Sequence, residues 1–131
     1  MPDGPYSKAL LRRQLRERRR TIGPAEQSAA AQAVALHITS LPIWVNADRI
    51  ALYLARDGEI DTAPLTASCR AAGKQVFLPR IFPQNSLEFA NWQEGEHLVT
   101  NRYGIPEPGQ EAPLCWCRLW RWPIHGRRRE I

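Results

Sequence analysis

The sequence predicts an α/β protein: a mostly parallel sheet flanked by helices, in a three-layer, Rossmann-like arrangement left incomplete at the C-terminus. Three observations predict it. The short apolar run Arg49 to Leu54 is followed by a helical stretch and then by a second run, Gln75 to Pro79. A strand–helix–strand crossover of this kind joins parallel strands. Two further helical stretches precede the first run, which supplies enough helix to cover a sheet. The 131 residues, 44% apolar and 24% charged, suit one domain that needs no disulfide or structural metal.

The elements follow in order. Ser7 precedes Lys8-Ala9-Leu10-Leu11, and Leu11 and Leu15 recur four apart, so Ser7 reads as an N-cap and residues 8–21 as an amphipathic helix. Gly23 ends it. Pro24 suits a first helical position, and Ala31, Val34, Ala35, Ile38 and Leu41 continue a helical stripe until Pro42. The run Arg49 to Leu54, bounded by Asn46-Ala47-Asp48 and Asp57-Gly58, has the length of a buried strand. Thr62 then caps a third helix with Pro64 in its first turn and Leu65 and Cys69 as its apolar pair, closed by Gly73-Lys74. After the strand at 75–79, residues 87–92 alternate imperfectly and read as an outer strand.

Charge is local. Between Lys8 and Arg20 stand seven basic residues against Glu17 alone, whereas the whole chain carries a net +5. Such a helix suits the phosphates of a nucleotide, the phosphates of a nucleic acid, or water only. No apolar run approaches the roughly 20 residues of a membrane span, and the N-terminus lacks the layout of a secretory signal, so a cytoplasmic location without membrane contact is expected. The three cysteines, Cys69, Cys115 and Cys117, are odd in number and read as free thiols. With only His97 and His125 at hand, Cys115 and Cys117 lack the paired spacing of a zinc site, and no metal-ligand set is read.

In open parallel sheets, ligands gather beyond the carboxyl ends of the strands. Leu54 to Asp61 is such a loop, with Arg56, Asp57, Glu59 and Asp61 grouped around Gly58, which permits a sharp turn. On residue type alone these acids suit a solvated loop as well as a site.

The spelling Ala51-Leu52-Tyr53-Leu54, then Gly58-Glu59-Ile60-Asp61-Thr62 with Pro64-Leu65, then Gly73-Lys74 and Leu78-Pro79, resembles the 5-formyltetrahydrofolate cyclo-ligase (5,10-methenyltetrahydrofolate synthetase) family. The opening Lys8-Ala9-Leu10-Leu11-Arg12 followed by Arg16, which resembles the family's N-terminal phosphate-contacting helix, and Asn101 with Gly104-Ile105-Pro106-Glu107-Pro108, extend the resemblance over residues 7–113. It implies ATP-dependent cyclisation of 5-formyltetrahydrofolate to 5,10-methenyltetrahydrofolate, with ADP and phosphate released and Mg2+ required. It implies ATP contact by Lys8, Ala9, Leu10, Leu11 and Arg12, with Lys8 and Arg12 on one helix face. It implies substrate contact by Leu54 and Glu59, the carboxylate accepting from the pterin N–H groups. Tyr103 stands where the family often has an aromatic, suited to pack on the folate ring or to support a turn. Lys8 and Glu59 are then expected across one cleft. No catalytic residue is assigned, and a monomer is expected.

Residues 1–114 correspond to the N-terminal part of a single cyclo-ligase domain. The Gly-rich phosphate loop that the family carries later is not found. Residues 115–131 form an atypical tail in which Cys115 to Trp122 hold three Trp, two Cys and two Arg, and a frame-shifted reading is expected there. Impaired activity and an uncovered sheet edge are expected of such a chain. The competing reading is a nucleic-acid or acidic-surface binding module using the Arg-rich first helix and the basic tail.

Overall fold

The computed structural model describes residues 7–83 and 86–114, together with the backbone of 122–123. Helix α1 spans Lys8–Arg20, and the Ser7 hydroxyl accepts the Leu10 N–H as its N-cap. Helix α2 spans Pro24–Thr39 and buries Ala31 and Ala35. It stops short of Pro42, which instead opens a 3-10 turn, Pro42–Asn46, because proline's fixed φ suits a first helical position. Strand β1 spans Arg49–Ala51, α3 Ala63–Ala71, β2 Gln75–Phe82 and β3 Ser86–Asn91. A two-stranded ribbon follows, β4 at Val99–Thr100 and β5 at Pro106–Glu107, and β6 is Trp122–Pro123.

The main sheet has the order β1-β2-β3-β6. The β1–α3–β2 crossover is parallel as expected, with Ile50 opposite Val76. The remaining pairs correct the expectation of a mostly parallel sheet. Strand β3 runs antiparallel to β2, Leu78 facing Ala90, and β6 runs antiparallel to β3. The physical reason is chain length: three residues link Phe82 to Ser86, room for a hairpin but not for the dozen or more residues of a crossover. The fold is a mixed α/β sheet with helices.

The core is built by Ala35 of α2, Leu65 and Cys69 of α3, Leu52, and Val76 and Leu78 of β2. Val76 and Leu78 are two apart and so share one sheet face. Lys74, 9% exposed, closes the far end of this layer: its ammonium donates to the carbonyl oxygens of Trp44 at 2.6 Å and Ala47 at 2.7 Å and lies 4.7 Å from the Trp44 ring centre. Burial pushes the Cys69 thiol pKa up, which keeps it neutral.

Three local expectations change. The first strand ends at Ala51, not Leu54, since β2 is paired to β1 only through Phe77. Thr62 holds the N-cap position of α3 as expected, but its hydroxyl donates to the Tyr53 carbonyl, and it is the Asp61 carboxylate that accepts the Ala63 N–H, at 2.9 Å. The apolar stripe of α1 is not buried: Leu11 is 54% and Leu15 52% exposed. Among the described residues no helix is long and apolar enough to cross a membrane. Apart from the backbone of Trp122–Pro123, the tail at 115–131, with its expected frame-shift and free thiols Cys115 and Cys117, lies outside the described residues.

Candidate functional site at the end of the parallel strands

Beyond β1 the chain turns sharply at Arg56–Glu59. The Glu59 N–H donates to the Arg56 carbonyl at 3.0 Å, and the two central residues are both left-handed, Asp57 at φ +52° and Gly58 at φ +76°. That is the pattern of a type I′ turn, which Asp-Gly favours. The Glu59 carboxylate folds back onto the turn, its Oε2 accepting the Arg56 N–H at 3.1 Å. Downstream, the Tyr53 hydroxyl donates to the Ile60 carbonyl at 3.3 Å, so both limbs of the loop are tied together.

The turn rests against the helical layer. Asp57 Oδ1 accepts from Arg20 Nε at 2.5 Å, and Oδ2 lies 3.4 Å from Arg19 Nη2 and 3.7 Å from Arg16 Nε. Arg19 Nε also donates to the Asp57 carbonyl at 2.8 Å, and Gln27 donates to the Gly58 carbonyl at 2.7 Å. The hydrogen bond from Arg20 holds the Asp57 carboxyl pKa below the usual range, with the charges of Arg19 and Arg16 acting in the same direction.

A hollow of about 490 Å³ opens beside this turn, at the carboxyl end of the β1–β2 parallel pair. Leu78 and Pro79 line it from β2; Tyr53, Leu54 and Ile60 line it from the loop. Ile105 and Pro106 come from the β4–β5 ribbon, and the charged groups are Arg19, Arg56 and Glu59. An apolar lining with a few placed charges is the usual make-up of a small-molecule site.

The ribbon is itself anchored. Asn101 Oδ1 accepts the N–H groups of Tyr103 at 2.9 Å and Ile105 at 3.1 Å. Glu107 Oε2 accepts from Asn101 Nδ2 at 3.0 Å and from the Ile81 N–H of β2 at 3.1 Å. A smaller hollow of about 310 Å³ shares Leu54 with the first and is lined by Thr62, Arg70 and Trp92 among others. Arg70 donates to the Trp92 carbonyl and lies 5.3 Å from its ring centre.

Leu54 and Glu59 therefore lie together on the larger hollow. Lys8, Ala9, Leu10, Leu11 and Arg12 do not line it. They occupy the opposite end of α1, Lys8 and Arg12 both exposed; Arg12 is about 10 Å and Lys8 about 16 Å along the axis from Arg19, which does reach the hollow. Tyr103 sits on the ribbon turn, 54% exposed, two residues from the lining residue Ile105. Sequence reasoning missed Arg19, Ile105 and Pro106 as lining residues. The signal for the latter two was present in the Asn101 to Pro108 segment; none marked Arg19 among six neighbouring arginines and lysines.

The 5-formyltetrahydrofolate cyclo-ligase family matches residues 5–115. The chain belongs to that family. It is 38% identical over 96 residues to the 5-formyltetrahydrofolate cyclo-ligase of Escherichia coli strain K12, covering 72% of this chain and 53% of that protein. It is 33% identical over 100 residues to the cyclo-ligase of Haemophilus influenzae, covering 75% of this chain and 54% of the other. The fold is shared with solved synthetases. The 5,10-methenyltetrahydrofolate synthetase of Aquifex aeolicus superposes with a TM-score of 0.71 at 24% identity, over 82% of this chain and 54% of that one. The synthetase of Mycoplasma pneumoniae superposes with a TM-score of 0.58 at 18% identity, over 66% and 54%. This cyclo-ligase-family chain thus spans about half the length of the relatives it matches.

Proposed function

We propose that the chain carries the folate-binding part of an enzyme that converts 5-formyltetrahydrofolate and ATP to 5,10-methenyltetrahydrofolate, ADP and phosphate. The observation that carries this reading is the meeting of Leu54 and Glu59 on an apolar hollow at the end of the parallel strands, in a chain of the cyclo-ligase family. In the proposed reaction the formyl oxygen takes the γ-phosphoryl group of ATP and ADP leaves. The neighbouring nitrogen attacks the activated carbon, phosphate departs with the oxygen, and the nitrogen's proton is lost as the C–N bond closes. Phosphoryl transfer needs placement and positive charge above all. On this reading Glu59 accepts from pterin N–H groups, and Tyr53, Leu54 and Pro79 exclude water from the ring.

Lys8 to Arg12 are proposed as ATP contacts, Lys8 and Arg12 supplying charge from one face of α1. Tyr103 is proposed to swing against the folate from the ribbon turn. Mg2+ is proposed as a companion of the nucleotide phosphates, the usual way that ion is held. The described residues bring no three His, Cys, Asp or Glu together as a resident cage. A monomer in the cytoplasm, and a three-layer arrangement with further parallel strands in the whole enzyme, belong to the same proposal. The family match gives the nucleic-acid alternative no support, and three of the seven basic residues of α1 converge on Asp57.

The test is ATP-dependent appearance of the methenyl product, followed optically, for this chain beside one continued to the length of its relatives. The longer chain is expected to turn over and its Glu59→Gln variant to lose most of its folate affinity. Tight, salt-sensitive RNA binding with no response to folate or ATP would overturn the reading.

A further inference from the structure

Helix α1 buries no residue, yet its last turn is fastened to the turn that bears Glu59. Exposed ion pairs taken singly contribute little. What distinguishes this cluster is convergence: three arginine side chains reach one carboxylate, Arg19 also binds the Asp57 carbonyl, and Gln27 of α2 binds the next carbonyl. Asp57 lies at φ +52°, the left-handed conformation that the type I′ turn requires at this position and that aspartate adopts more readily than most residues. Packing agrees, since a Cβ on Gly58 would stand 3.0 Å from the Arg19 carbonyl oxygen. Turn backbone and helix end are in direct contact.

Glu59 is the residue that leaves this turn, and its carboxylate returns to the Arg56 N–H. Whatever holds Asp57 and Gly58 therefore also sets where the Glu59 carboxylate projects. Arg19, the side chain that makes two of the contacts, lines the same hollow as Glu59. We propose that Asp57 is a positioning residue: gripped by Arg16, Arg19 and Arg20, it latches the 56–59 turn to α1 and so holds the Glu59 carboxylate at the hollow. The proposal rests on the folate role of Glu59 given above. Asp57 itself acts only through Glu59. One consequence is that the helix proposed to meet ATP and the turn proposed to meet the pterin move as one body.

The test uses the chain with Asp57→Asn, because asparagine tolerates a left-handed backbone while removing the charge. Two readouts are taken: hydrogen exchange at the Arg56 and Glu59 amides, which both bond within the turn, and affinity for 5-formyltetrahydrofolate by titration calorimetry. Exchange at those two amides is expected to quicken, and folate affinity to fall, each by about tenfold, as for loss of one charge-assisted hydrogen bond. Amides of α3 and β2 are expected to be unchanged, and Arg20→Gln to move both readouts the same way. Unchanged exchange at Arg56 and Glu59 overturns the latch. Faster exchange with unaltered folate affinity overturns the positioning role. If Glu59→Gln binds folate as well as the parent does, or the parent fails to bind, the positioning role falls with the folate reading, and the exchange data show that the latch was not at fault.

Discussion

Replacing Lys74 by methionine keeps a long apolar stem in place but removes the ammonium that joins the end of α3 to the 3-10 turn. The structure sets the magnitude. Two charge-assisted hydrogen bonds, to the Trp44 and Ala47 carbonyl oxygens, and one cation–π contact are lost. Hydrogen bonds to charged groups contribute about 1.5–3 kcal/mol each and a partly desolvated cation–π contact about 1 kcal/mol. The desolvation cost of a Lys that is only 9% exposed is relieved at the same time. A net loss of about 2–4 kcal/mol results, and for a domain of this size that lowers the melting temperature by about 10 °C. Lys74→Arg, which retains charge and ring contact, should lose less than half as much. Thermal unfolding followed by far-ultraviolet circular dichroism is the assay. A Lys74→Met chain melting within about 2 °C of the parent would refute the view that this cation links the two elements.

Four further outcomes are expected. Gly58→Ala combines the left-handed penalty with a Cβ at 3.0 Å from the Arg19 carbonyl oxygen, so a stability loss of about 1–2 kcal/mol is expected, readable by urea titration. Asp57, whose carboxyl pKa is lowered in the folded state, contributes its charged contacts above the unfolded aspartate range of about 4 and loses them as pH falls through the folded value. Its side-chain carbon resonance should therefore titrate with a midpoint below about 4, and a midpoint above that would contradict the arginine grip. Asn101→Ala frees the Tyr103 and Ile105 N–H groups, so trypsin should cut after Arg102 faster than in the parent, in a timed digestion. Cys69, fully buried with its thiol pKa raised by burial, should resist alkylation at neutral pH and react at once in denaturant; prompt native labelling at this residue would show the core to be open.

The extent to which the site was legible differs residue by residue. Leu54 and Glu59 were named as substrate contacts by the family resemblance; the residues themselves marked only the loop from Leu54 to Asp61 as lying at a strand end, with acids that suit solvent as well as a site. A sharp turn was read at Gly58 because glycine is cheap in the left-handed region. Which helix the turn would touch was not legible: Arg16, Arg19 and Arg20 lie nearly forty residues away and look alike with Arg12, Arg13 and Arg18 on a helix whose charges cover several faces. Lys8, expected across one cleft from Glu59, is not among the residues that line the hollow, since spacing placed Lys8 and Arg12 on one face of a helix but not which end of the helix meets the loop.

The sequence by itself determined the helices, through caps and three- and four-residue apolar steps at Ser7, Pro24 and Leu65, and the parallel crossover, through the order strand, helix, strand. These are local signals, carried by neighbours along the chain. Only the tertiary structure decided that β3 returns antiparallel, that Leu11 and Leu15 stay exposed, that the Thr62 hydroxyl turns to Tyr53 and leaves the Ala63 N–H to Asp61, and that the end of α1 closes on Asp57. Each of those depends on which surfaces meet in space, and contacts between distant segments are set by packing and by the few buried polar groups that must find partners, neither of which leaves a periodic mark along the chain.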